Sequence, residues 1–461
     1  MGNDDVHKVD LRAFVRAGDV FDRGRALRDV VPSSAHDHDA TNPNRPGVLD
    51  FIESSNEGRL PDLVPLRMGR MIVSPFAFFR GSAGLQAADL AGSPANGLNA
   101  QLCGDAHAAN FGLYGSPHGE IIMDINDFDE TIPGPWEWDL KRLAASLVLA
   151  GREGGVDAEG CVDAAEDAVK SYRRTIRDLA EAPFLTSWTA LPDSSVIEKA
   201  KADALIDDFA EAADKARGNT SAKVVAKWTE HLDDHATGIR RHRFIEDPPI
   251  LTHIDDAERE AVIDGLEAYV ESLRESRRNL IARFAVQDVA FRIVGTGSVG
   301  LRSYVALLHG NHDEVLVLQL KQANPSALAP FLPAQEPRHE GQRIVFGARL
   351  VQASTDILLG WTTIDGVPYM VRQFRNMKGD IDPTLLKGNH LDDYGRLAGA
   401  LLARAHTRSL DPRLLAGYFD GDKELHKAIG RYAVRYADQT QLDYTELLAA
   451  VESGTIQAQL A

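Results

Sequence analysis

An apolar run that ends in acid constrains this chain more than any other feature. Ile121, Ile122 and Met123 lead straight into Asp124, within a stretch, residues 102–140, that reads LCGDAHAANFGLYGSPHGEIIMDINDFDETIPGPWEWDL. A short apolar run bounded by turn signals predicts a buried strand. Here it predicts a core strand that carries Asp124 and Asp127 to the end of a sheet. Asp105 and Asn110 precede it among small residues. Loops at the ends of scaffold strands are where binding and catalytic chemistry concentrates.

Such a cluster suits Mg²⁺-assisted transfer to or from a phosphate. Mg²⁺ takes oxygen ligands, keeps several waters, and usually binds only one or two carboxylates besides substrate phosphates. Asn110 and Asp127 are the expected metal ligands, with Asp124 and Asp129 next in order. Asp105 is expected to accept the proton of an attacking hydroxyl. For any one of these acids alone, a strand-end turn is the plainer reading.

The residues also carry a resemblance. Gly104-Asp105-Ala106-His107-Ala108-Ala109-Asn110 resembles the catalytic loop G-D-x-H-x-x-N of the aminoglycoside phosphotransferase and choline kinase group of protein-kinase-like enzymes. Ile125-Asn126-Asp127-Phe128-Asp129 resembles their metal-binding I-D-F-D segment with one inserted Asn, and Asp139-Leu140 their following D-L pair. SPFAFFRG (74–81), CGDAHAANFG, NDFDETIPGPWEWDLKRLAAS and LQLKQA are similar to the bacterial family known as domain of unknown function 2252, from about Arg45 onward. That family name implies no activity. The kinase resemblance implies an α+β, two-lobe fold, ATP and Mg²⁺ as cofactors, Asp105 as base, and His107 as a brace of the loop. It also implies that Asp139 caps the next helix and holds the catalytic-loop backbone.

With 461 residues, two or three lobes are expected. A net charge of -18 disfavours nucleic acid as a partner. Only two cysteines occur, Cys103 and Cys161, so no disulfide framework is expected. No signal peptide opens the chain and no apolar run approaches a membrane span, so a cytoplasmic protein is expected. Residues 1–48 form a polar arm. Its His36-Asp37-His38-Asp39 run reads as a metal site or, more simply, as a solvated loop. Arg67, Arg70 and Arg80 lie among apolar residues, where a guanidinium wants a carboxylate or a phosphate.

Residues 49–150 form the catalytic half. Helical periodicity dominates 151–285, and the whole stretch 140–280 reads as all-helical. Strand patterns then fill 286–385, and residues 386–461 return to helix, with two further helices after residue 421. Gly295, Gly297, Ser298 and Gly300 lie between two strand patterns, so the loop does not read as a dinucleotide fingerprint. Strand, glycine loop, strand, turn, strand and Lys321 is the order of a phosphate-covering kinase lobe. Glu336 and Glu340 are the candidates to hold Lys321.

In ordinary kinases the glycine loop and lysine come first. Here they follow Asp105 and Asp127, which predicts a circularly permuted kinase-like fold with a large helical insertion. Three functions compete. One is an ATP-dependent phosphotransferase acting on a small-molecule or protein hydroxyl. Another is a nucleotide-binding regulatory module without turnover. The last is a metal-dependent hydrolase built on Asp105, His107, Asp124 and Asp127. Nucleotidyl transfer is a variant of the first.

Overall fold

A computed structural model of the chain describes residues 16–460 except 234–239, 294, 296, 313 and 336. It is a mixed α+β fold whose sheets are all antiparallel among the described residues. The acidic stretch forms β1 (Asn99–Leu102), β2 (Phe111–Gly115), β3 (Ile121–Ile125) and β4 (Ile132–Pro135). β1 pairs with β4, and β2 with β3. The helix Trp136–Glu153 follows at once. Pro135 precedes it, and Glu137 and Asp139 in its first turn complement the helix dipole. Residues 136–151 of that helix are all buried, so it is the axis of the largest core. The helices Ala158–Glu181, Asn389–His406 and Leu425–Glu452 pack around it.

A second layer is the sheet of β7 (Leu251–His253), β8 (Ala285–Arg292), β9 (Ser303–His309), β10 (Val315–Gln322), β12 (Val367–Gln373) and β11 (Gly360–Ile364), in that spatial order. Side chains alternate between its faces. Leu316, Leu318 and Leu320 of β10 meet Val262, Leu266 and Tyr269 of the helix Asp256–Val270. Val317 faces the other way, toward Val224, Val225 and Phe244. Lys321 shares the parity of Val317, so the pleat turns it from the leucine core toward the acidic stretch. β13 (Gly379–Asp380) then leaves the sheet and pairs with β2, tying the two layers together.

The structure corrects three expectations. Residues 17–36 are not a loose arm: they hold the helix Ala17–Val30 and a 3-10 turn, Ser33–His36. Glycines allow that helix to touch the one at Pro412–Tyr418. A Cβ on Gly24 would sit 2.0 Å from the carbonyl oxygen of Leu414, and one on Gly417 equally close to that of Phe21. The stretch 140–280 is not helical throughout: strands interrupt it between Trp228 and the helices Asp256–Val270 and Glu275–Ile281. These strands are a hairpin of β5 (Thr229–Asp233) and β6 (Arg240–Phe244) and then β7. Phe244 covers one sheet face, a tertiary role that local periodicity does not report. Past residue 421 there is one long helix, not two, because its glycine, Gly430, sits against Glu166 of a neighbouring helix instead of breaking it. No helix among the described residues is long and apolar enough to cross a membrane.

Candidate functional site

The loop after β1 is held by side chains further along the same stretch. Gly104 has φ +84°, and a Cβ there would lie 2.2 Å from the carbonyl oxygen of Glu130, so only glycine fits the turn. Asp139 accepts hydrogen bonds from the backbone N–H of Cys103 (2.8 Å) and Gly104 (3.1 Å). It lies in the first turn of the helix and is not its N-cap. His406 Nε2 is 3.4 Å from the same carboxylate, and its Nδ1 is 2.8 Å from the Tyr172 hydroxyl. Asn110 Nδ2 donates to the carbonyls of Asp105 (3.0 Å) and Asp127 (3.1 Å). This ties the two acidic segments together and turns Oδ1 the other way.

Asp105 is half-buried. Arg142 Nε donates to its Oδ1 at 2.5 Å, while Oδ2 faces His107 Nε2 at 3.6 Å. Arg142 is itself locked, donating to Gln86 Oε1 (2.9 Å) and the Phe79 carbonyl (2.8 Å) and lying over the Phe79 ring. Burial pushes His107 down to about 4, with Arg80 and Arg142 adding to the effect against Asp105. The ring is therefore neutral at pH 7.

From the sheet, Lys321 reaches across. It is 4% exposed, forms an ion pair with Asp129, and lies 3.6 Å from Asp127 Oδ2. Burial acts against its charge, but the two carboxylates raise it above the ordinary lysine value. Burial likewise acts against Asp127, but Lys321 and then Arg372 hold its carboxyl well below the usual range. Asp129 goes the other way, raised by burial and by repulsion from Asp127. Half of the Asp127 side chain stays open to solvent.

Asp105, His107, Asn110, Asp127, Asp129 and Arg372 line one cleft of about 670 Å³, together with Gly295, Gly297 and Ser298, and Lys321 lies buried behind Asp127 and Asp129. Ser298 Oγ donates to Asp129 Oδ2 at 3.4 Å. The glycine loop is held from below by the N-terminal segment: Arg70 donates to the carbonyl of Gly295, and Arg59 to that of Val299 at 2.6 Å. Asp105, His107, Asn110, Asp127, Asp129, Gly295, Gly297, Ser298 and Lys321 are thus brought to one place.

Other expected residues are not. Asp124 is buried in β3, where it accepts from the backbone N–H of Ile125 and Ala353, both at 2.9 Å, and burial raises its pKa. Its carboxylate is spent on backbone and does not reach the cleft. Gly300, at φ +90°, is a turn packed on Arg59, not part of the cleft wall. Glu340 does not hold Lys321 but pairs with Arg343 at 2.5 Å. Arg343 in turn donates to the carbonyls of Asp129 and Thr131. Glu336 lies outside the described residues. In the His36–Asp39 run, His36 is buried against the Tyr418 hydroxyl, Asp37 pairs with Arg431 and Arg435, and His38 meets Lys141. Among the described residues no three His, Cys, Asp or Glu side chains converge as a metal site. A donor set of Asn110 Oδ1 and Asp127 still fits Mg²⁺, which asks for few protein oxygens.

Arg142, Arg372, Lys378, Arg59 and Glu130 also belong to the site and were not anticipated. Burial, then Arg372, pushes Lys378 down to about 7, and burial pushes Glu130 up to about 7. The alternation Met370-Val371-Arg372 signals a polar residue on the site-facing side of a strand, and Arg142 stands out as a charge on an apolar helix. Nothing local marks Arg59, whose partner is far along the chain.

The fold and cleft define an α+β protein in which a helical core presents carboxylates to a lysine from an antiparallel sheet. The family model described as "Uncharacterized protein conserved in bacteria (DUF2252)" matches residues 59–450, and the chain belongs to that family. No curated protein and no solved structure matches the chain.

Proposed function

We propose that the chain is an ATP-dependent phosphotransferase of circularly permuted, protein-kinase-like fold, acting on the hydroxyl of a small molecule or a protein. The observation that carries this reading is the pairing of Lys321, from β10, with Asp127 and Asp129 beside the Asp105 loop and below Gly295 and Gly297. The permutation has its own support. The backbone N–H of Gln101 in β1 donates to Ser409 Oγ at 2.6 Å, so the helix Asn389–His406 ends where β1 begins. In this reading lysine sheet, helix and catalytic loop keep the kinase order, with the chain break moved to a point ahead of the loop.

In this reading Asn110 Oδ1 and Asp127 hold Mg²⁺, which supplies charge neutralisation on the phosphoryl oxygens when bound. Lys321 neutralises further phosphate oxygens, and the backbone at Gly295 and Gly297 approaches them closely for want of a Cβ. Asp105 Oδ2 takes the acceptor's proton as the acceptor oxygen bonds to the γ-phosphorus and the bridging oxygen leaves with ADP. Arg142 fixes the angle of that carboxylate. Positioning and charge supply most of the catalysis in such transfers.

One observation favours the reading without turnover: the short Asp105–Arg142 pair draws on the charge of the base. ATP labelled on either the γ- or the α-phosphate separates the possibilities. Loss of γ-label to an acceptor or to water, abolished by Asp127→Ala, is the expected result. Transfer of α-label with release of pyrophosphate would make the enzyme a nucleotidyltransferase. Tight ATP binding with neither label moved would make it a regulatory module.

A further inference from the structure

Three guanidinium groups line the cleft without a carboxylate partner. Arg67 is 1% exposed, and its hydrogen bonds go to Ser55 Oγ (3.0 Å), Asn56 Oδ1 (2.6 Å) and the Gly81 carbonyl (3.3 Å), with Nε unpartnered. Among the described residues the Arg59 side chain bonds only to the backbone carbonyls of Ser55 and Val299. The Arg80 side chain makes no hydrogen bond or ion pair among the described residues, and its Nε is buried. All three border the same space as Asp105 and His107.

Among the described residues no acid of the cleft forms an ion pair with them: Glu57 is exposed, and Glu130 and Asp129 favour the charge of Arg59 only from a distance. Asp105 is taken by Arg142, Asp127 and Asp129 by Lys321, and Glu130 accepts from the backbone N–H of Ala327 at 2.5 Å. Burial lowers Arg67 well below the ordinary arginine value, and the nearby Arg59 lowers it further. Burial brings Arg59 down to about 10. Burying a cation without a counter-charge is costly, and here cations repel one another as well. A guanidinium presents a planar fork matched to phosphate oxygens. Arg80 also lies close enough to His107 to disfavour its protonation, which sets it beside the Asp105 loop.

We propose that Arg59, Arg67 and Arg80 form an oxyanion subsite that takes a phosphate-class group carried by the second substrate. The acceptor is then an already anionic molecule whose hydroxyl is presented to Asp105, while the nucleotide phosphates lie on the Lys321 side. This placement of the nucleotide rests on the phosphotransferase reading; the subsite itself does not.

The test uses inorganic phosphate as the probe, on the full chain, by calorimetric titration with and without saturating ADP and Mg²⁺. Arg80→Gln removes no side-chain hydrogen bond or ion pair of the folded protein, and an unchanged unfolding midpoint without ligand verifies that the fold is kept. Phosphate is expected to bind the wild type and to bind Arg80→Gln at least about tenfold more weakly, as the loss of a charge-assisted pair requires. Arg80→Lys, which keeps the charge but loses the fork, should fall between. ADP should not displace the bound phosphate. Competition between phosphate and ADP, or equal phosphate affinity in wild type and Arg80→Gln, would overturn the proposal, as would no phosphate binding to folded wild type. Arg80-dependent phosphate binding in a protein that ignores ADP would uphold the subsite while removing the nucleotide reading.

Discussion

Two buried lysines, one in the cleft and one in the helical core, show what separates a functional charge from a structural one. Lys321 is buried against two carboxylates, kept charged by them, and opens through Asp127 onto the cleft. Lys141 is fully buried in the helix Trp136–Glu153, with Nζ 2.6 Å from His38 Nε2 and over the Tyr432 ring. Among the described residues no carboxylate lies within ion-pair reach of it. Burial pushes Lys141 down to about 8, and pushes Glu137, one turn earlier, up to about 7. Burial thus draws Lys141 and Glu137 toward neutrality, whereas Lys321 keeps its charge by pairing. Burial of a lysine alone is therefore not a functional signal. Pairing beside an opening is.

The largest effect that sharpens this contrast is on turnover. Lys321→Met should lower ATP turnover by on the order of 10²–10³-fold, the size expected when a preorganised charge at the reacting phosphate is lost. Lys141→Met should leave it within about threefold, since replacing a poorly paired buried ion by an apolar side chain is often neutral or stabilising. Steady-state rates on both purified variants check this, and equal losses would break the distinction.

The next effect is on stability. Asp139 is a charge completed wholly inside the protein, by two backbone N–H groups and His406. Asp139→Ala leaves those donors buried and unpaired, and should cost roughly 3 kcal/mol in urea unfolding. A loss of a few tenths would mean that the loop after β1 is held by other contacts.

The smallest effect is a pH dependence shared by both regions. His107 in the cleft and His38 beside Lys141 are each pushed down to about 4, chiefly by burial. Below about pH 6.5 the unfolded chain binds a proton that the folded ring refuses until near pH 4. Their stabilisation is therefore present above pH 6.5 and lost as pH falls through that window. For His107 it is on the order of 2 kcal/mol. His107→Asn and His38→Asn, unfolded at pH 7 and pH 4.5, should each flatten part of the dependence. An unaltered pH profile in both would contradict the buried, neutral state of these rings.

What the sequence made legible follows from range. β3 and Lys321 on its strand are encoded by neighbours a few residues away, whereas the hold of Asp139 on a loop 35 and 36 residues back is implied only by the motif resemblance. Asp124 was misjudged because strand parity, which points its carboxylate at the backbone of Ala353, depends on pairing with β2 and on the segment beyond the helix Glu340–Val351. Of the two candidates to hold Lys321, Glu336 lies outside the described residues and Glu340 is occupied by Arg343, and Asp129 pairs with the lysine instead. Arg59 and Arg70 hold the glycine loop from more than two hundred residues away. No local pattern carries such a contact. The hairpin of β5 and β6 and the helix Ala17–Val30 were hidden for the same reason, since each is stabilised by a surface the rest of the chain supplies.

The most direct test of the central claim is thermal unfolding with and without ATP and Mg²⁺, on wild type, Lys321→Met and Lys141→Met. At about a hundred times its dissociation constant the nucleotide should add roughly 2.7 kcal/mol to the stability of wild type. The rise should require Mg²⁺, persist in Lys141→Met and vanish in Lys321→Met. No Mg²⁺-dependent rise in folded wild type at millimolar ATP, or an undiminished rise in Lys321→Met, would contradict a nucleotide site at this cleft.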